Sequence, residues 1–65
     1  MRLTVKNTPE YRVYAEFTRG VDGTECLSIL TSDLKHPDEL HVKLQLFLDK
    51  QERARLADFL QSGPA

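Results

Sequence analysis

Tyr11-Arg-Val-Tyr-Ala-Glu-Phe-Thr-Arg-Gly-Val-Asp-Gly-Thr-Glu-Cys-Leu-Ser-Ile-Leu-Thr31 is the stretch that decides the fold. Its first eight residues alternate with period two. Tyr11, Val13, Ala15 and Phe17 point one way, and Arg12, Tyr14, Glu16 and Thr18 the other. That is the pattern of a half-buried strand, rich in aromatic and β-branched residues. Residues 24–31 repeat the pattern, with Leu27 and Ile29 on one face and Cys26, Ser28 and Leu30 on the other. Pairing Phe17 with Leu27, Ala15 with Ile29 and Val13 with Thr31 sets apolar against apolar. It leaves the loop Val21-Asp22-Gly23 closed by Gly20 and Thr24. Three-residue hairpin loops favour a left-handed third position, which Gly23 supplies. A slip of one residue would turn Leu27 and Ile29 to the wrong face, so turn chemistry and face pattern specify the same register.

The pattern extends outward from this hairpin. Leu40, Val42, Leu44, Leu46 and Leu48 alternate with His41, Lys43, Gln45 and Phe47, which predicts a strand over 40–48. Pro37 and its polar neighbours make residues 33–39 a connection. Leu3 and Val5 predict a short edge strand over 2–6, turned by Asn7-Thr8-Pro9-Glu10; its Lys and Arg suit an edge. Asp49 with Glu52 three residues on is an Asp variant of the capping box. Leu56, Phe59 and Leu60 follow as an apolar stripe, and Gly63-Pro64 ends the run. This predicts a helix over 50–61 that is too short to persist alone and must dock on the sheet. The expected class is α+β: one domain over 1–65, an antiparallel meander of three or four strands (2–6, 11–19, 24–32, 40–48) with the C-terminal helix packed on one face.

At 65 residues there is room for a single modest core. The lone Cys26 excludes an internal disulfide framework and favours a reducing compartment, so a cytoplasmic protein is expected. No apolar run has signal-peptide or membrane-spanning length, so no membrane association is expected. Opening on Met1, the chain reads as a whole gene product. The net charge is −1, which argues against a strongly basic nucleic-acid binder. Residues 22–39 nevertheless carry Asp22, Glu25, Asp33, Asp38 and Glu39 against Lys35 alone, an acidic block.

His36, His41, Cys26 and Asp33 are the residues from which a metal or nucleophile site would be built. Their spacing matches no zinc pattern, and two solvated histidines with an inert thiol is the simpler reading. There is no phosphate-binding glycine loop and no nucleophile elbow. Neither an enzyme nor a cofactor is expected. The face turned away from the helix is expected to expose Tyr14, Leu30 and Phe47, an apolar patch suited to a protein partner or to self-association. Arg12 and Lys43 beside Tyr14 and Phe47 raise a weaker alternative, stacking of single-stranded nucleic acid; Glu16 on the same face opposes it.

In its size, its lack of site motifs and its acidic loops, the chain resembles the small inhibitors encoded by phages and mobile elements, anti-CRISPR proteins among them. The resemblance implies a non-enzymatic, stoichiometric blocker of a host complex that handles nucleic acid, binding a basic protein surface through carboxylates. A net charge of −1 departs from whole-surface mimicry of DNA, so any mimicry must be local, around Asp22, Glu25, Asp33, Asp38 and Glu39. The other expectations are a small nucleic-acid-binding protein, and a homodimer or small subunit joined through the outer face or an edge strand.

Overall fold

The computed structural model describes residues 1–64. The strands β1 (Arg2–Asn7), β2 (Tyr11–Arg19), β3 (Glu25–Asp33) and β4 (His41–Leu48) form one antiparallel sheet in the order β1-β2-β3-β4. The helix α1 (Lys50–Ser62) follows. This is the expected α+β meander, with the edge strand β1 in place.

The central hairpin has the register that its turn and face pattern require. Phe17 lies opposite Leu27, Ala15 opposite Ile29 and Val13 opposite Thr31. Gly20 N–H donates to the Thr24 carbonyl at 2.9 Å, and Asp22 and Gly23 both take positive φ, 59° and 75°. Asp tolerates this left-handed region better than most residues, and Gly adopts it freely. Gly20 is needed for a different reason. A β-carbon there would stand 2.7 Å from Thr24 Oγ1 and 3.2 Å from the Thr24 carbonyl oxygen.

Pairing divides the side chains between two faces. The A face holds Leu3 of β1, the odd residues Val13, Ala15 and Phe17 of β2, Leu27 and Ile29 of β3, and Leu44 and Leu46 of β4. The B face holds Tyr14, Cys26, Ser28, Leu30 and Phe47, with the ion-paired Arg2 and Glu16. Two bulges break the alternation. In β4, Ile29 pairs with Leu44 but Leu30 with Val42, leaving Lys43 as the extra residue. The bulge turns Val42 from the A face, where unbroken alternation with Leu44 and Leu46 puts it, onto the B face beside Leu30. In β1 the extra residue is Val5.

The helix lies on the A-face side, as expected, but only at the β4 end, and it leaves most of that face uncovered. Asp49 caps α1 immediately after β4: its carboxylate accepts from Glu52 N–H at 2.8 Å, and Glu52 accepts from Asp49 N–H at 2.9 Å. With no linker between strand and helix, α1 starts at the β4 end and rests mainly against that strand. Arg53 reaches onto the A-face side, 3.1 Å from Glu25 Oε2 and 6.0 Å from the Phe17 ring centroid. Leu56 is half-buried, but Phe59 and Leu60 are 71% and 67% exposed, and none of the described helix residues is buried. The apolar stripe therefore exists without an intrachain partner along most of its length.

The result is a thin slab, 38 × 33 × 16 Å, with a radius of gyration of 13.5 Å. A compact chain of this length would have about 11 Å. Among the described residues, no side chain is fully buried.

Candidate protein-binding face

Burial is not concentrated on the expected inner face: Thr31, 5% exposed, is buried on the A-face side, but the apolar burial lies opposite. The best-buried apolar residues, Cys26 and Leu30, are both on the B face, each 7% exposed, with Ser28 and Ser32 beside them. These lie on the central strand β3, where flanking strands shelter small side chains from both sides; Leu30 sits between Tyr14 and Val42. Apart from Phe17, over which Arg53 reaches, the large A-face side chains stand largely uncovered. Leu3 is 63% and Leu44 48% exposed, and Phe17, Leu27, Ile29 and Leu46 are only half-buried.

The B face does not form the single apolar patch expected of Tyr14, Leu30 and Phe47. Tyr14 and Leu30 are directly opposed, as expected, and Arg2 stacks on the Tyr14 ring at 5.6 Å. Phe47, however, lies opposite Cys26, two rows away. Between them runs the polar row Glu16, Ser28 and Gln45, where Gln45 Nε2 donates to Ser28 Oγ at 3.3 Å. Phe47 is exposed as an isolated ring, while Leu30 is buried. The aromatic–basic set for nucleic-acid stacking is similarly dispersed: Arg12 donates to Asn7 Oδ1, and Lys43 is the bulge residue.

The acidic block separates into two groups, because successive hairpin connections lie at opposite ends of a meander. Asp22 and Glu25 belong to the β2–β3 end, and Asp33, Asp38 and Glu39 to the β3–β4 end. Several have intrachain partners. Glu25 holds Arg53, and its Oε1 is buried without a hydrogen bond. Asp33 Oδ1 accepts from His36 N–H at 2.8 Å, and Glu39 lies 3.9 Å from His41 Nε2. Asp22 and Asp38 are the two with no ion pair or side-chain hydrogen bond among the described residues. The β2–β3 end does not present a uniform negative surface, since Arg19 and Lys50 border it.

The A face differs in character from both. Its central row runs Leu3, Ala15, Ile29, Leu44 across all four strands, and the next row runs Phe17, Leu27, Leu46. No charged side chain among the described residues occupies these rows; charge begins at the rim with Lys6, Glu25 and Arg19. The molecule exposes 5496 Å². A compact protein of 7.5 kDa exposes about 4,200 Å², so roughly 1,300 Å² per chain is surplus. That surplus is total surface, the mark of a thin slab, and the apolar A-face rows supply part of it; apolar surface left uncovered on a small protein marks an interaction site. Simple hydrophobic patterning had assigned these same residues to a core, and the signal for the site was therefore the pattern itself, with no second layer in the chain long enough to cover it.

Among the described residues, no three His, Cys, Asp or Glu side chains group as metal ligands would, and no helix is long and apolar enough to cross a membrane. No family model matches the chain, and no curated protein or solved structure does so either.

Proposed function

We propose that the chain is a non-enzymatic protein-binding module whose contact surface is the A face. The observation that carries this reading is the largely uncovered apolar sheet face, whose two central rows hold no charged residue, together with a helix whose Phe59 and Leu60 stay exposed. Burial of apolar surface at about 25 cal/mol per Å² is the main favourable term in association, and this chain retains an unusual amount of it. Blocking of a larger complex through the carboxylates, the role implied by the resemblance to small phage-encoded inhibitors, has less support, since those carboxylates are divided between the two ends of the sheet and Glu25 is engaged by Arg53.

The test compares two variants in affinity capture by the tagged protein. Leu44→Glu places a charge in the central row of the A face. The triple variant Asp33→Lys, Asp38→Lys, Glu39→Lys reverses the acidic connection. The proposal expects stoichiometric retention of a protein by the wild type and the triple variant, and its loss with Leu44→Glu. Retention that survives Leu44→Glu but fails in the triple variant would contradict it and return the contact to the acidic loops.

A further inference from the structure

We infer that the occupant of the A face is a second copy of this chain: two sheets stack face to face about a two-fold axis, with the Leu56–Phe59–Leu60 stripe of each helix closing the same interface. This rests on the reading of the A face as a binding surface and names its partner.

Three observations favour a second copy over a different protein. The first is area. The surplus of total surface, about 1,300 Å² per chain, is of the order that pairing removes, since a standard stable interface takes roughly 800 Å² from each partner. The second is charge. A two-fold interface sets each residue near its own copy, so like charges in the centre would oppose assembly. The rows Leu3-Ala15-Ile29-Leu44 and Phe17-Leu27-Leu46 carry none of their own, and Arg53, which reaches over Phe17, is ion-paired with Glu25, whereas the B face holds Arg2, Arg12 and Glu16 among its rows. The third is the missing layer. One sheet with an exposed apolar face is half of a two-layer domain, and sheets stacked about 10 Å apart complete such a core. A second copy supplies the absent layer and, with it, a partner for the helix stripe that the chain's own sheet leaves at 71% and 67% exposure.

The chain contains a built-in reporter. Ile29 is its single isoleucine and lies in the central row of the A face. The experiment uses the full-length wild-type protein, half of it labelled at the Ile29 δ1-methyl and half unlabelled, with sedimentation equilibrium on the same sample. The expected result is a dimer, with cross-relaxation from the labelled methyl to leucine or phenylalanine protons of the unlabelled copy. Leu44→Glu and Leu44→Lys are each expected to weaken self-association by about 100-fold or more, because each buries two like charges. Mixing the two variants is expected to restore a heterodimer. If both variants fail to fold, the wild-type cross-relaxation decides alone. A dimer without cross-relaxation from Ile29 overturns the face-to-face arrangement. A monomer overturns the second copy altogether, and a soluble paramagnetic probe then separates the two ideas. Strong broadening of the Ile29 methyl leaves the A face open for a different protein. A protected methyl means the chain covers its own sheet, and the binding-face reading fails too.

Discussion

Replacing Leu30 and Leu44 by alanine in turn probes which face forms the core of the single chain. Leu30 is 7% exposed, held between Tyr14 and Val42 on the B face. Buried Leu→Ala changes cost 2–5 kcal/mol, and an open sheet lets neighbours relax into the gap, so about 2–3 kcal/mol is expected. Leu44 is 48% exposed on the A face. At roughly 0.8 kcal/mol per buried methylene, and with about half the side chain still in water, its truncation costs about 1 kcal/mol in the isolated chain. Once a second protein surface covers the A face, the same change removes fully buried atoms and its cost per chain rises to about 2–4 kcal/mol. Urea unfolding followed by circular dichroism, at protein concentrations from about 5 to 500 µM, reads both regimes, because stability coupled to assembly depends on concentration. The Leu30→Ala cost is expected to stay constant, and the Leu44→Ala cost to grow with concentration. A Leu44→Ala cost equal to that of Leu30→Ala at the lowest concentration would mean that the single chain already covers its A face, contrary to this assignment of the faces.

Other consequences follow from the local chemistry. Asp49→Ala removes the helix cap and is expected to cost about 1 kcal/mol; amide exchange should show the α1 protons opening roughly fivefold more often, with β2 and β3 affected less. Gly20→Ala forces a β-carbon against Thr24 and is expected to destabilise the hairpin by about 1–3 kcal/mol, measured by thermal unfolding. Filter binding with single- and double-stranded oligonucleotides at ~50 mM salt is expected to show nothing tighter than the ~10⁻⁴ M of weak non-specific association, since Arg12, Tyr14, Lys43 and Phe47 do not converge.

The parts of the fold that are legible in the sequence are those decided by short-range chemistry. Gly20, Asp22 and Gly23 define the turn, and the turn then aligns Phe17 with Leu27 and Ala15 with Ile29. Asp49 and Glu52 mark the helix start through two reciprocal hydrogen bonds. The bulge at Lys43 is not legible, because Val42 is apolar and suits either face; the alternation of residues 40–48 reads the same with or without it. The seat of the helix is hidden for a deeper reason. The Leu56-Phe59-Leu60 stripe states that this side needs cover, but an apolar pattern does not say whether the cover comes from the same chain. The same holds for the A face: periodicity in β2, β3 and β4 identifies residues that seek burial, and the structure leaves them without it. Tyr14, Leu30 and Phe47, grouped by strand parity alone, are separated by the row position of Phe47, which parity does not encode. The acidic block shows the same limit, since nearness in sequence becomes distance when loops alternate between ends of a meander.

Small-angle X-ray scattering at ~100 µM distinguishes a stacked pair from a single chain, because mass and shape come from one curve. The single chain has a mass of 7.5 kDa and a radius of gyration of 13.5 Å. Two such slabs stacked about 10 Å apart double the mass while raising the radius only to about 14–15 Å. The account predicts that combination. A doubled mass with a radius near ~20 Å would mean that the sheets join edge to edge, and a single-chain mass with an unchanged radius would mean that a second copy does not cover the A face.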